Sequence, residues 1–441
     1  DFKVSVSAYP EKHPEAASLD ADIEALKAKV DAEKIMSEPT FKGKLNVPAF
    51  NLKRLLARLN KPVPKTADPK ALTQLGLQTR FSGTTSSIKL DDLEITLDQT
   101  DIRGDINVAN FEGPDLTFAI GIDRINADRY LEPTAKGRSR PITPEAAAAG
   151  AASELPVEML RALKIKGDLL IGNLVLSGAK MKNIKFSIRA DGGKIRLSPL
   201  GAELYQGTYG GVIDLDATGK QPLLGLKTNL KNVSVEPLIK DTVGNDMLSG
   251  IVSFNAALNA VGGDGDRIKK SLNGTGRFGT TNGVFRGVDA VAVLRAVEQI
   301  IECKCPVPVP KGGETRFNTL GGTLTTKNGV IRNEDLVLSG DGFTITGKGM
   351  LANLHNNTLK YNLKLGVSEA RKGADGGDYN LGGYSVPIKC RGAIESPTCL
   401  PDFGDIILQV AKSAITKEIG EKLQDAIGGD AGEALKKIFK F

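Results

Sequence analysis

Apolar and polar residues alternate with a period of two along much of the chain. Residues 359–367 show the pattern most clearly, because every second side chain is apolar and Lys, Asn or Gly stand between them. This spacing is typical of β-strands that have one dry face and one wet face. The same alternation recurs in residues 93–97, 116–122, 184–190, 213–217 and 252–260. The pattern predicts a mainly β protein.

Short turn signals separate the alternating segments. Asp191-Gly-Gly, Thr281-Asn-Gly and Lys327-Asn-Gly each lie between two such segments, and Asp-Gly and Asn-Gly favour tight turns that need positive φ. Gly accounts for 50 of the 441 residues, which agrees with many short strands joined by tight turns. The strand–turn–strand unit repeats loosely, and this predicts hairpins stacked along one direction.

Helical spacing is confined to a few segments. It predicts a charged helix over residues 20–34, amphipathic helices over residues 48–59 and 288–301, and a helical tail from residue 402. The tail can cover one end of the sheet or lie on a membrane surface. Its polar side carries Glu and Asp as well as Lys, which favours the covering role.

One segment has no strand periodicity and is rich in Pro and Ala. With this segment as a linker, the sequence predicts five regions. The regions are a charged N-terminal segment (1–38), a first β region (39–131), a flexible linker (132–156), a second β region (157–401) and the helical tail (402–441).

Composition and charge exclude several functions. The chain has 58 Lys and Arg against 52 Asp and Glu, and this net charge of +6 is too small to predict nucleic-acid binding. His13 and His355 are the two histidines, and both lie in polar, loop-like segments. A His-ligated metal site or a His-activated nucleophile is therefore a poor hypothesis. We expect a protein that is not an enzyme and that uses no metal ion and no cofactor.

The apolar face of a sheet commonly has one of two roles. In a sandwich it packs against a second sheet, whereas in an open, curved sheet it lines a groove that suits acyl chains. Periodicity does not separate these two alternatives. No apolar run reaches the roughly 18–20 residues that cross a bilayer as a helix.

Several segments, taken in order, resemble the AsmA family of bacterial envelope proteins. The first of them ends in Asp128-Arg-Tyr-Leu. The similar segments are residues 116–133, 156–169, 174–207, 272–283 and 320–329. The likeness extends over the chain from about residue 40 to about residue 420 and does not include the first 38 residues or the cysteines.

The resemblance implies an elongated, curved antiparallel sheet that forms an apolar groove, akin to bridge-like lipid-transfer proteins, with a few amphipathic helices at ends and crossings. It implies a body in the periplasm and an inner-membrane anchor that precedes residue 1. The implied function is to bind lipid acyl chains and to assist phospholipid transport between the inner and outer membranes, in support of outer-membrane homeostasis. The alternative is a structural or assembly factor for outer-membrane proteins that moves no lipid.

The expected partners follow from the same resemblance. They are phospholipid, the inner membrane, and an outer-membrane or other envelope protein, with no nucleic acid among them. The candidate lipid-facing residues are the apolar members of the clearest alternating segments. They are Ile184, Phe186, Ile188, Ile213, Leu215, Phe343, Ile345, Leu359, Tyr361, Leu363 and Leu365.

The four cysteines form two close pairs, Cys303 with Cys305 and Cys390 with Cys399. Because the periplasm implied by the resemblance is oxidising, we expect all four to be bonded. Short spacing favours bonds within each pair. A crossed pairing between the two segments is the alternative, because a Cys-x-Cys ring is strained and a longer closed loop restrains the unfolded chain more. Neither pair has CxxC spacing, so the expected role is structural.

Overall fold

The computed structural model describes residues 3–8, 19–24, 40–132, 155–303, 312–367, 385–394 and 396–402. Within these residues the chain forms twenty strands and five α-helices, so the prediction of a mainly β fold is confirmed. The described residues divide into two compact units. Unit 1 lies within Asp1–Phe278 and Thr325–Gly329, and unit 2 lies within Gly279–Leu324 and Val330–Phe441.

Unit 1 contains thirteen complete strands and four short helices in its described residues. The strands are β1 (Lys3–Ala8), β2 (Leu19–Glu24), β3 (Phe41–Phe50), β4 (Leu75–Gly83), β5 (Ser87–Leu97), β6 (Thr100–Ala109), β7 (Asp115–Asn126), β8 (Lys164–Leu176), β9 (Ala179–Asp191), β10 (Lys194–Leu204), β11 (Gly207–Asp216), β12 (Leu223–Ser234) and β13 (Leu248–Val261). The helices are α1 (Leu52–Arg58), α2 (Val157–Ala162), α3 (Val235–Thr242) and α4 (Gly265–Ser271).

Unit 2 contains one helix and five complete strands in its described residues. They are α5 (Ala290–Cys303), β16 (Val330–Gly340), β17 (Phe343–Asn353), β18 (Thr358–Val367), β19 (Val386–Ala393) and β20 (Thr398–Pro401). Two further strands are divided between the units: β14 (Asn273–Arg286) begins in unit 1 and ends in unit 2, and β15 (Glu314–Lys327) begins in unit 2 and ends in unit 1. Strands β16 to β20 pair antiparallel, each with the next.

Strand pairing in unit 1 is mixed. Neighbouring strands from β3 to β7 and from β8 to β13 are antiparallel. However, β7 and β8 are parallel, with Asp115 opposite Lys164 and Asn126 opposite Val175. The sheet is therefore mixed, and the prediction of an antiparallel sheet is wrong at this pair only. Parallel neighbours need a connection of a dozen or more residues, and residues 127–163 between these strands supply it.

The unit boundary does not follow the predicted linker. Because β7 and β8 pair directly, the chain on either side of residues 132–156 contributes to one sheet in unit 1. The chain passes instead from unit 1 to unit 2 within β14 and back to unit 1 within β15, at Thr325. Residues 133–154 lie outside the described residues, as do residues 403–441 of the predicted tail.

The helix predictions have different outcomes. The helix over residues 288–301 is confirmed by α5. Of the helix over residues 48–59, only α1 forms, because β3 continues to Phe50 and Asn51 caps the helix by accepting from the Arg54 N–H at 3.0 Å. The prediction of a helix over residues 20–34 is wrong at its start, because β2 pairs there with β1 and β3. Leu, Ala and Ile alternate with acidic residues in β2, and this period of two favours a strand.

One glycine in β6 permits the close approach of β7. Gly104 has φ +154°, and a Cβ at this position would lie 1.9 Å from the Ala119 carbonyl oxygen. We expect Gly104→Ala to lower the local free energy of unfolding by about 3 kcal/mol through backbone strain and overpacking. Hydrogen exchange of the β6 and β7 amides measures this loss. Gly121→Ala in β7 is the control, because its Cβ would meet nothing closer than 3.8 Å, and faster exchange in both variants would contradict the explanation.

Candidate functional site

Apolar residues form continuous rows across the sheet of unit 1. Each row joins residues that lie directly opposite one another on successive strands, so its side chains share one face. Row 1 consists of Ile88, Val108, Leu116, Ile165, Ala190, Ile195, Leu215, Leu224 and Ala260. Row 2 consists of Phe81, Leu90, Ile106, Phe118, Gly167, Ile188, Leu197, Ile213, Leu226 and Leu258. Row 3 consists of Leu93, Gly104, Ile120, Leu169, Phe186 and Leu200.

The face that carries these rows, here called the apolar face, is half-buried along most of its length. Phe118, Ile188 and Ile213 are examples of half-buried members, whereas Ala190 and Ile195 are buried. On the opposite face, Lys166 and Arg189 are exposed. The alternation read from the sequence thus becomes a sheet with one aliphatic face and one charged face.

Six strands of unit 1, β7 to β12, line a cavity of about 1040 Å³. Each strand contributes its row 1 residue and the residues on either side of it, for example Ile165 with Lys164 and Lys166, or Ile195 with Lys194 and Arg196. Successive side chains of a strand point to opposite faces, so each strand contributes one residue of the apolar face and two of the opposite face to this lining. The row 1 side chains of β7 to β12 thus border the cavity together with charged neighbours.

Charged residues lie at the ends of the strands beside this cavity. Lys164 Nζ is 3.6 Å from Asp115 Oδ1, and Arg196 Nη1 is 2.8 Å from Asp214 Oδ1. The hydroxyl and N–H of Thr218, and then the charge of Lys194, hold the pKa of Asp216 below its usual range. Asp216 is therefore an anion at neutral pH.

At the opposite end of these strands, hydrogen bonds join residues of separate elements. Asp128 accepts from the N–H groups of Ser177 and Gly178 at 2.5 and 2.8 Å. Tyr205 donates its hydroxyl hydrogen to Asp241 Oδ2 of α3 at 2.9 Å, and Lys180 pairs with the same carboxylate at 3.0 Å. Burial, together with the hydrogen bond to Asp241, raises the pKa of Tyr205 to about 12. Hydrogen bonds and one ion pair thus hold this end of unit 1 together.

The structure brings five of the candidate residues together on the apolar face of unit 1. Ile188 and Ile213 lie in row 2, Leu215 in row 1 and Phe186 in row 3. Ile184 lies opposite Ile171 of β8, two residues along β9 from Phe186, and is 7% exposed. Whether these side chains contact lipid stays a prediction.

The candidates in unit 2 have a different environment, because α5 packs on this part of the sheet. Phe343 and Leu365 are 3% and 1% exposed and form one core with Leu294 of α5, and Ile345 packs against that core. Tyr361 is also buried and donates its hydroxyl hydrogen to Asn333 Oδ1. Phe343, Tyr361 and Leu365 are thus buried by protein in the described structure, whereas Ile345 is half-buried beside the core. Whether any of the four contacts lipid stays a prediction.

The remaining two candidates in unit 2, Leu359 and Leu363, are half-buried on β18. Leu363 lies opposite Gly347 and Ile388. Neither residue belongs to the core under α5, so both keep an accessible fraction.

The disulfide of unit 2 joins Cys390 and Cys399, whose Cα atoms are 4.0 Å apart. The two residues lie directly opposite each other on β19 and β20. This is the pairing that the short spacing favours, and it fixes the last described strand to the sheet. The pairing of Cys303 and Cys305 lies outside the described residues.

Sequence reasoning missed much of the apolar face. Leu197 and Leu200 face the same side although they are three residues apart, because β10 has a bulge between them. The bulge breaks the period of two, so the alternation signal disappears there. The charges beside the cavity were also missed as a group, because they come from separate strands and only the register brings them together.

Comparison with known proteins gives one match. The model of the AsmA family matches residues 14–336, which is more than half of the chain. The match includes β2 to β13, twelve of the thirteen complete strands of unit 1. No curated protein and no solved structure matches the chain. Among the described residues, no helix combines the length and apolarity needed to cross a membrane.

Proposed function

Since this chain belongs to the AsmA family, we propose that it binds lipid acyl chains on the apolar face of unit 1 and assists phospholipid transport between the inner and outer membranes. The family is associated with the bacterial envelope. We propose that the body of the protein works in the periplasm and is attached to the inner membrane by an anchor. The proposal assigns no catalytic step to any residue.

The observation that carries the proposal is the continuity of the apolar rows. Row 1 crosses nine strands, from Ile88 on β5 to Ala260 on β13. Strands lie about 4.8 Å apart, so the row extends for about 38 Å. Each methylene withdrawn from water contributes about 0.8 kcal/mol. A long aliphatic surface can therefore hold an acyl chain by burial alone.

The apolar side chains of the rows also allow a bound acyl chain to move along the face. The members of rows 1 and 2 are aliphatic or aromatic side chains apart from Gly167, so no polar group along them favours one position of a bound chain. Binding by burial is non-directional. A chain held in this way can slide across strands without breaking specific contacts.

Two adjacent residues on β11 test whether the apolar face binds lipid. Ile213 lies in row 2, opposite Leu197 and Leu226, whereas Val212 points to the other face, opposite Lys227. We expect Ile213→Asp to lower phospholipid loading at least about tenfold, because the carboxylate must lose water when an acyl chain covers it. Val212→Asp makes the same chemical change on the charged face and is expected to load like the wild type.

The measurement is the amount of phospholipid that the purified 441-residue chain retains after incubation with vesicles, determined by extraction and mass spectrometry. Circular dichroism checks that both variants fold. A wild-type protein that retains no phospholipid would contradict the proposal and favour a scaffold in outer-membrane assembly. Equal loss in the two variants would show that the apolar face is not the binding surface.

A further inference from the structure

A second surface of unit 1, formed by α1 and the segment that follows it, is strongly basic. Residues 51–67 contain five basic residues and no acidic residue. The whole chain has a net charge of only +6, so this short segment carries a large local excess of positive charge. Every residue from 57 to 65 is exposed. An exposed excess of one sign attracts a partner of the opposite charge.

The same segment exposes apolar side chains. Helix α1 and its C-cap carry an apolar stripe whose members are spaced by three or four residues and so share one helix face. The stripe consists of Leu52, Leu55, Leu56 and Leu59. Leu52 and Leu56 are half-buried, whereas Leu55 and Leu59 are 38% and 58% exposed. Val63, four residues further on, is 41% exposed. Protein therefore covers one part of the apolar stripe and leaves the other part beside the basic residues.

Hydrogen bonds hold this exposed segment against the rest of unit 1. Lys53 Nζ donates to Thr66 Oγ1 at 2.6 Å, and the Ala67 N–H donates to the Leu131 carbonyl oxygen at 2.7 Å. Asn60 has φ +51°, the left-handed conformation that ends many helices. The segment is therefore fastened on both sides of its exposed part. Side chains that are already held in this way lose little further freedom when they meet a partner.

We infer that this surface lies on an anionic lipid bilayer. The surface, here called the basic patch, consists of Leu55, Arg58, Leu59, Lys61, Val63 and Lys65. Its cations meet lipid phosphates, while its apolar side chains enter the boundary between headgroups and acyl chains. An acidic protein would need a pocket of matching shape for the leucines, whereas a bilayer takes apolar side chains without one. The inference goes beyond the proposed function, because it needs no lipid on the apolar face.

A single introduced tryptophan locates the contact, because the chain contains no Trp. In Leu59→Trp, we expect the indole emission to shift to shorter wavelength with vesicles of phosphatidylglycerol and to be quenched by brominated acyl chains, because the ring enters the bilayer interface. Vesicles of phosphatidylcholine are expected to cause neither change. Leu170→Trp is the control, because Leu170 is exposed on β8 outside the basic patch, and its emission is expected to stay constant with both kinds of vesicle.

Two double variants test the charges of the basic patch. Lys61→Gln combined with Lys65→Gln removes two exposed cations and is expected to weaken binding to phosphatidylglycerol vesicles roughly twentyfold, because each cation near an anionic surface contributes about fivefold. Lys227→Gln combined with Lys231→Gln makes the same change in net charge at exposed positions of β12 and is expected to bind like the wild type. Flotation of protein with vesicles measures both affinities, and circular dichroism checks that the variants fold.

Three results would overturn the inference. A wild-type protein that does not bind phosphatidylglycerol vesicles overturns it in favour of an acidic protein partner, and leaves lipid retention on the apolar face as a separate question. Binding without a change in the emission of Leu59→Trp places the membrane contact elsewhere in the chain. Equal loss of affinity in the two double variants reduces the effect to net charge. Where Leu59→Trp does not fold, Val63→Trp takes its place, because Val63 lies outside α1.

Discussion

Leu365→Asp is expected to unfold the described core of unit 2. Leu365 is 1% exposed and lies in one cluster with Leu294 of α5, Phe343 of β17 and Val386 of β19. Truncating a buried leucine costs about 2–5 kcal/mol, and an unpaired carboxylate in the same place adds a desolvation penalty of several kcal/mol. The sum is comparable to the total stability of a typical domain, about 5–15 kcal/mol.

Hydrogen exchange followed by mass spectrometry locates this effect. We expect the amides of β17, β18 and β19 to exchange fast in Leu365→Asp, while the amides of β5 to β12 keep their protection, because the rows of unit 1 do not include Leu365. Lys364→Asp is the matched control, since Lys364 is exposed on the same strand. Native protection in Leu365→Asp would mean that α5 does not seal this face, and Leu365 would then return as a lipid-facing candidate.

The contrast between the two units explains what periodicity can predict. Residues 184–190 and 359–367 show the same alternation, and both form strands with one apolar face. In unit 1 that face is half-buried and borders a cavity, whereas in unit 2 part of it is closed by α5. Alternation fixes which side chains share a face. It carries no information on what covers that face.

The position of α5 on the sheet of unit 2 depends on contacts between residues far apart in sequence. The amphipathic spacing over residues 288–301 predicts a helix, and α5 forms there. Its start is fixed by Asp289, which accepts from the N–H groups of Val291 and Ala292 at 2.9 and 3.0 Å, and by Thr315, which accepts from the Ala290 N–H at 3.0 Å. The contact with Thr315 of β15 joins residues 25 positions apart in sequence. Such a contact is invisible to local pattern analysis.

The charged residues beside the cavity show the same limit for the candidate site. Asp115 and Lys164 are neighbours only because β7 and β8 pair in parallel, and antiparallel alternation alone does not predict that pairing. Asp191 and Lys194 flank a Gly-Gly turn, and a hairpin interpretation of the sequence places these two charges together. The register of the paired strands therefore brings charges from separate segments into one row beside the cavity.

Leu169→Asp is expected to slow phospholipid transfer between vesicles at least about tenfold while leaving substantial lipid loading. Leu169 lies in row 3, between Ile120 of β7 and Phe186 of β9, and is half-buried near the middle of β8. A carboxylate there interrupts the apolar face, because it keeps its water and an acyl chain that slides past must give up favourable burial. A chain can still bind on either side of the break.

The next residue on the same strand provides the control. Leu170 has the same side chain, points to the opposite face and is 52% exposed, so Leu170→Asp introduces the same charge without touching the apolar face. The measurement is the rate at which a fluorescent phospholipid moves from donor to acceptor vesicles in the presence of each protein. We expect Leu169→Asp to slow the protein-dependent rate at least about tenfold, which corresponds to a barrier of about 1.4 kcal/mol or more, and Leu170→Asp to behave like the wild type. If both variants transfer lipid at the wild-type rate and Leu169→Asp still loads lipid, the protein holds lipid without conducting it across the strands, and the transport half of the proposed function would have to be abandoned.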